Sequence, residues 1–301
     1  MPHISLAMPV YNGENFIGAA IDSLLSQTYS DFELIVTDNA SKDGTREIVE
    51  GYAKVDSRVR YIRNIENIGA APNYNLGFEH STGEFFKWCA HDDLHSENYL
   101  EECLRMLRND DALSIVHART EGLDELDRPA ALNGVGMPEV LNDHPGIRFE
   151  TVLNFDHDCY HIFGLMRSDM LRKTGLQNLY YGTDRALLAE MAILGKIGVA
   201  EQATFFSREH SARSVNLESN LQRAVWHNGN ANRWGAAEKL NLLRDLLDIS
   251  KRHAEVVSAW DTRRRIFKFA MRPSSLKRYG VETLDLTLPG LANAIRRTKM
   301  S

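Results

Sequence analysis

Apolar and polar positions in the first hundred residues switch repeatedly between a strand pattern and a helix pattern. Residues 4–10, ISLAMPV, form a short apolar run closed by Tyr11-Asn12-Gly13, after which Ile17, Ala20, Ile21, Leu24 and Leu25 recur at helical spacing. Residues 32–37 predict a second strand, followed by the turn-rich DNASKDG and a helix through Val49 and Tyr52. Residues 59–62 predict a third strand, with a helical segment near 70–80. Residues 84–89 predict a fourth, followed by a helix marked by Leu100, Cys103, Leu104 and Leu107 with Ser96 as its N-cap. Repeated β-α-β units of this kind predict an α/β fold in which a mostly parallel central sheet is flanked by helices on both faces.

The regularity breaks after residues 113–116. Residues 120–146 are rich in Gly, Pro, Asp and Asn and read as a long excursion, which in a compact domain tends to be functional. Ordered signals return at 160–166, at a helix over 168–174 stopped by Gly175, and at a helix over 183–194 stopped by Gly195. A last strand over 197–206 ends in Ser207-Arg208-Glu209-His210, and from about Leu217 the pattern is mainly helical. The expected division is a unit over 1–215 and a helical C-terminal extension over 216–301, basic from about residue 261.

Charge sharpens that division. Residues 261–301 hold ten Lys or Arg against three Asp or Glu, a net of +7 in a chain of formal charge −6, so the preceding 260 residues carry −13. An acidic body argues against general nucleic-acid binding. The three cysteines, Cys89, Cys103 and Cys159, are widely spaced and outside any CxxC arrangement, which predicts buried thiols in a reducing cytoplasm. With no apolar run near the roughly 20 residues of a membrane span and a strand-like start, neither secretion nor a membrane crossing is expected.

In an open parallel sheet, ligands bind beyond the carboxyl ends of the strands. Polar residues gather at those ends: Tyr11 and Asn12 after the first strand, Asp38 and Asn39 after the second, Asn67 and Gly69 after the third, Asp92 and Asp93 after the fourth. Each short group taken alone reads first as a turn. No G-x-G-x-x-G follows the first strand and no phosphate loop of the GxxxxGK[ST] type is present. The segment Ala90-His91-Asp92-Asp93-Leu94 sets two carboxylates side by side after a buried strand. A capping turn into the next helix relieves one of them, whereas a divalent cation, which takes one or two carboxylates and completes its shell with phosphate and water, relieves both.

The order and spacing of four stretches resemble glycosyltransferase family 2, the inverting enzymes of GT-A fold. They are MPVYNGENFIGAAIDSLLSQTYSDFELIVTDNASKDGT, NIGAAPNYNLG, TGEFFKWCAHDDL and GTDRALLAEMAILGKIGVAEQATFFSREH, and together they span residue 4 to about 214. The resemblance implies a Rossmann-like nucleotide-sugar-binding domain with Pro9, Tyr11 and Asn12 at the nucleotide and Asp38 at the base or ribose. Asn67, Gly69 and Asn73 fall on a second nucleotide-facing loop. Asp93 falls on the Mn²⁺ or Mg²⁺ ligand, Asp92 beside it on the sugar or ribose side, and His91 where many members carry Asp. Asp184 falls on the general base, Glu190 lying almost two turns further along the same helix. His210 falls on a ligand to the metal or diphosphate, a role for which His91, His157 and His161 compete.

These expectations amount to a metal-dependent transferase that moves a sugar from a UDP-, dTDP- or GDP-sugar to a saccharide or lipid-linked saccharide in surface polysaccharide or glycoconjugate synthesis. Two rivals stay open: a sugar nucleotidyltransferase, for which Tyr11-Asn12-Gly13-Glu14 lacks the basic phosphate loop, and a catalytically silent nucleotide-sugar-binding module. In the tail, residues 262–272 interleave cations with apolar residues, Ile266, Phe267, Phe269, Ala270 and Met271 sharing one broad side of a helix. That pattern fits an anionic membrane surface on the cytoplasmic face, or packing on the catalytic domain or on a second subunit as a homodimer.

Overall fold

Residues 2–132, 134–229 and 234–288 are described by a computed structural model, in which the early alternation becomes β1 (Ile4–Val10), α1 (Ile17–Leu25), β2 (Phe32–Asp38), α2 (Thr45–Val55), β3 (Val59–Arg63), α3 (Ala70–Glu79) and β4 (Phe85–Trp88). Next come β5 (Leu94–His95), α4 (Tyr99–Asn109), β6 (Leu113–Leu123), β7 (Pro129–Ala130), α5 (Pro145–Asn154), β8 (Leu165–Arg167), α6 (Ser168–Leu171), α7 (Thr183–Leu194) and β9 (Lys196–Arg208). The chain continues through α8 (Asn220–Asn228), α9 (Glu238–Arg252), α10 (Ala259–Ala270) and α11 (Pro273–Thr287). Part of the basic tail, residues 289–301, lies outside the described residues.

The strands lie in the order β3-β2-β1-β4-β8-β6-β9-β5, with β7 paired to β6. Pairing is parallel across β3, β2, β1 and β4 and again between β6 and β9, while β8 runs antiparallel to both of its neighbours. Two apolar clusters cover the two faces. One joins β1 and β2 to α1 and α4; the other gathers α5, α7, α9 and Ile266 of α10 around Phe86, Trp88 and Met166. Helix α3 comes very close to the sheet at Gly77, where an added Cβ would lie 2.7 Å from the Ala7 Cβ.

Several expectations change. The strand expected to stop near Val116 continues to Leu123, into the segment read as a loop. Helix α5 lies in a stretch left unassigned above; it buries Phe149, Val152 and Leu153 together with Arg148, whose guanidinium donates to the carbonyls of Ala192 and Ile193 at 2.7 and 3.0 Å. Ser96 does not cap α4. The helix starts at Tyr99 after Asn98, and the Ser96 hydroxyl bonds Asn98 and accepts the Thr204 N–H, tying the segment to β9 instead.

In the tail, α10 turns Thr262 and Ile266 inward, and Arg265 pairs with Glu150 of α5. Phe267, grouped above with the apolar side, is 65% exposed and shares the outer face with Trp260 (72%) and Arg264. Among the described residues no helix is long and apolar enough to cross a membrane.

The helical extension is stitched to the earlier unit by buried polar contacts. Glu190 of α7 accepts the Gly175 N–H and binds Arg252 and His253 at the end of α9. The Tyr180 hydroxyl donates to Asp245 at 2.9 Å. At Gly69, φ is +90° and an added Cβ would lie 2.5 Å from backbone atoms of Asn228 and Gly229, so the start of α3 and the end of α8 touch backbone to backbone. Both strain and collision oppose a side chain there. Gly69→Ala is expected to lower the unfolding free energy by about 2 kcal/mol or more, measured by urea denaturation as a shift in midpoint at unchanged slope.

Candidate active site

The ends of β1, β2 and β3 are organised before any ligand is considered. Asn12, at a left-handed φ of 54°, donates its N–H to Ser41 Oγ and accepts from the Lys42 N–H, while the Gly13 N–H donates to Thr45 Oγ1. These bonds fasten the turn after β1 to the turn after β2. A second network is made of asparagines. Asn39 donates to Asn67 Oδ1 and the Gly69 carbonyl and accepts from Asn64 Nδ2 and the Ile68 N–H; Asn73 donates to the Thr37 carbonyl and accepts from Asn64. Side-chain amides suit this place because each one donates and accepts at once, so three strand ends are locked without leaving a charge.

One cavity of about 1250 Å³ opens over these ends. That exceeds the roughly 300–1,000 Å³ of a pocket for one small ligand, and leaves room for two substrates. Of the residues expected at the site, Pro9, Tyr11, Asn12, Asn67, Asn73, Asp92, Asp93, Asp184 and His210 all line it. Asp38 and Gly69 do not. Asp38 is 0% exposed, and its carboxylate accepts from the Ser41 N–H, the Tyr61 hydroxyl and Arg63 Nε at 2.8, 2.6 and 3.1 Å. In this structure it fixes the turn that holds Asn12 and Asn39.

The two carboxyls after β4 differ sharply. Burial pushes Asp92 up, but the charges of His91 and His210 beside it prevail and hold it down at about 2. His210 Nε2 lies 2.8 Å from Asp92 Oδ2, so this imidazole reaches the site through Asp92. Asp93 is pushed well up, first by burial and then by the Asp92 charge; one oxygen accepts the Arg208 N–H at 2.9 Å. Arg208, almost wholly buried, also donates Nε to the Asp92 carbonyl at 2.7 Å and pairs with Asp127 at 2.5 Å, so the end of β9 clamps the loop after β4. Sequence reasoning did not single out Arg208, since its partners come together only when β5 and β9 pair.

This arrangement fits a divalent cation. An anionic pair sits in a buried place with one member destabilised as a carboxylate, and a metal that brings phosphate and water as its other ligands needs no more than two protein carboxylates. Among the described residues no group of three or more His, Cys, Asp or Glu is arranged to hold a metal alone. Of the competing histidines, His157 lines the cavity but both ring nitrogens are occupied, by the Val152 carbonyl and the Cys159 N–H. His161 is buried against His117, and neither ring nitrogen has a hydrogen-bond partner among the described residues.

In the same cavity, Asp184 sits in the first turn of α7. Burial raises its proton affinity against the opposing hydrogen bond from Gln177 and the nearby His227. Gln177 Nε2 donates to Oδ1 at 2.8 Å, and Oδ2 meets no partner among the described residues. Tyr74 feels Asp184, Asp92 and Asp93 alike; burial and these charges push its phenol up, so it stays protonated. Glu190, bound as described, does not line the cavity. The wall beyond Asp184 was not anticipated: it uses Tyr181, Arg185 and Arg213, Trp226 and His227 of α8, and Lys239 of α9. The residues from Trp226 to Lys239 fall past residue 215, so the extension helps to build the cavity.

Among known proteins, the profile of the family described as glycosyl transferase family 2 matches residues 5–175. A Rickettsia typhi protein named uncharacterized glycosyltransferase RT0329 is 29% identical over 231 residues, 75% of this chain and 70% of its own. Staphylococcus aureus TarS 1–349, solved in complex with UDP-GlcNAc, superposes with a TM-score of 0.56 at 18% identity, covering 93% of this chain and 79% of that one. The mannosyltransferase PcManGT from Pyrobaculum calidifontis, solved with GDP-Man and Mn²⁺, gives 0.53 at 16% identity, with 98% and 86% covered. The fold is of GT-A type, and with the family profile matching more than half of its length the chain belongs to glycosyltransferase family 2.

Proposed function

We propose that this glycosyltransferase moves one sugar from a nucleotide-diphosphate sugar to a saccharide or lipid-linked saccharide, with metal assistance and inversion at the anomeric carbon. One observation carries the reading: a buried carboxylate pair and a separate carboxyl of raised proton affinity line one cavity large enough for both substrates. The solved relatives support the substrate class, since one holds UDP-GlcNAc and another GDP-Man.

Tyr11, Asn12 and the asparagine network hold the nucleotide, and Asp92, kept ionised, faces its ribose or sugar. Asp93, backed by Asp92 and His210, would hold Mn²⁺ or Mg²⁺, which when bound offsets the charge of the diphosphate as a Lewis acid. Asp184 accepts the acceptor's hydroxyl proton through Oδ2 while Gln177 fixes Oδ1. The acceptor oxygen then bonds the anomeric carbon from the face opposite the diphosphate, whose bond breaks. Protonated Tyr74, between the two walls, donates a hydrogen bond without adding charge. No covalent glycosyl-enzyme forms.

A screen of UDP-, dTDP- and GDP-sugars without acceptor is expected to show slow hydrolysis of one, stimulated by Mn²⁺, with nucleoside diphosphate as product. Release of pyrophosphate in the presence of a sugar phosphate and nucleoside triphosphate would instead assign a nucleotidyltransferase. Binding without turnover under any acceptor would assign a silent module.

A further inference from the structure

Helix α10 has two apolar sides, and the protein core uses one of them. Ile266 joins the apolar cluster of α5, α7 and α9, and the half-buried Phe269 packs against the same cluster. The opposite side carries Trp260, Phe267 and, just past the helix end, Met271. These recur at i, i+7 and i+11, which sets them in one narrow row along an α-helix. Among the described residues they are left 72%, 65% and 49% exposed. Apolar side chains exposed singly are ordinary, whereas a row of three on one helix marks a contact surface.

Cations flank the row. By helical spacing Arg264 and Lys268 stand on one side of it and Arg263 on the other. The Arg264 guanidinium lies 5.7 Å from the centre of the Trp260 ring, and the Arg264 and Lys268 side chains are largely exposed. Acids are present but too few to match them. Asp261 meets Arg265 at 2.8 Å and Arg264 at 3.7 Å, and Glu150 of α5 pairs with Arg265 and, at 3.1 Å, with Lys268. Farther along, Glu282 of α11 is turned to the backbone N–H groups of Lys239 and Leu240. Residues 255–278 hold seven Lys or Arg against Glu255 and Asp261. With Glu150 counted against them, a net of +4 remains in a chain of formal charge −6.

This combination selects among occupants. A second copy related by a two-fold axis would set the same excess of positive charge against itself, which opposes a symmetric dimer through this face. A nucleic acid offers phosphates but no apolar layer for the row. An anionic bilayer offers both, a charged headgroup plane and an apolar layer just beneath it, and the long Arg and Lys stems can lie along that boundary with their charges at the phosphates.

We propose that the outer face of α10 docks on an anionic lipid surface, with Trp260, Phe267 and Met271 entering the headgroup boundary and Arg263, Arg264 and Lys268 meeting lipid phosphates. No residue of this face lines the cavity, so the contact is independent of the transferase reading.

Co-sedimentation of the full chain with vesicles tests it, comparing phosphatidylcholine alone with phosphatidylcholine containing one third phosphatidylglycerol. The anionic vesicles are expected to bind about tenfold or more tightly at low salt, the difference shrinking as salt rises. The double variant Trp260→Ser, Phe267→Ser is expected to lose most of the binding to anionic vesicles, and Arg264→Gln, Lys268→Gln to lose the preference for anionic lipid. Val55→Ser, at an apolar residue 84% exposed on α2, is expected to change neither. Urea midpoints of all the variants establish that each is folded. Equal binding to the two vesicle types overturns the proposal, as does undiminished binding by the Trp260→Ser, Phe267→Ser protein. Sedimentation equilibrium without lipid gives the remaining outcome: a dimer that Phe267→Ser dissolves would assign the face to a second copy and overturn the lipid contact.

Discussion

Asp184→Asn is expected to lower turnover by about 10²- to 10⁴-fold, the range of general-base contributions, while the affinity for the sugar nucleotide changes little. The substitution is close to isosteric, and the amide oxygen can still accept from Gln177 Nε2. What it removes is the proton acceptor at Oδ2. The pH profile carries a second signature. Burial raises the Asp184 proton affinity, and a base works only when deprotonated, so activity falls on acidification at a pH above the ordinary aspartate value of about 3.9. That acid limb is expected to vanish from the residual activity of the variant. The measurement is kcat and kcat/KM against pH, paired with equilibrium binding of the nucleotide sugar. Full turnover in Asp184→Asn would remove the base from the mechanism.

Asp93→Asn should lose function and gain stability together. Its carboxyl is buried beside Asp92 and pushed well up. A group whose folded proton affinity exceeds its unfolded value stabilises fully below the unfolded pKa of about 3.9 and loses that contribution as pH rises through the folded value. At neutral pH without metal, this carboxyl therefore costs stability, whether it ionises in its buried place or holds its proton. An amide keeps an oxygen for the Arg208 N–H and removes the charge, so the metal-free variant is expected to be more stable by about 1–3 kcal/mol at pH 7. Asp92, held at about 2, behaves oppositely: its contribution is present above the unfolded pKa and lost as pH falls toward 2. Denaturant titration in chelator measures the stability, and electron paramagnetic resonance of Mn²⁺ measures the metal. Unchanged Mn²⁺ affinity in Asp93→Asn would take this carboxylate out of the metal site.

The sheet through β4 was legible because strand and helix alternate at short intervals and each strand end carries its own polar signature. The same locality exposed one half of the cavity, since Tyr11, Asn12, Asn67 and Asp93 each follow a strand directly. Direction was not legible: β8 is three residues long, and nothing in Leu165-Met166-Arg167 says that it runs against its neighbours. Helix α5 was legible in part, since Phe149, Val152 and Leu153 recur at helical spacing, while the burial of Arg148 beside them was not. Asp38 illustrates the reverse limit, because a strand-end acid can face a ligand or turn inward, and here Tyr61 and Arg63 draw it inward. The far wall was illegible because Trp226, His227 and Lys239 reach the cavity that Asp184 lines only through packing of α8 and α9, with no local pattern to announce it.

The division of the cavity between strand ends and later helices also bears on how such a protein can diversify. The family profile matches residues 5–175, and Asp184 and the cavity residues of α8 and α9 fall outside that match. On the proposed function, an exchange of sequence in α8 and α9 would reshape the far wall of the cavity and leave the asparagine network at the strand ends intact. The backbone contact between Gly69 and Gly229 marks the seam along which such an exchange would have to stay in register.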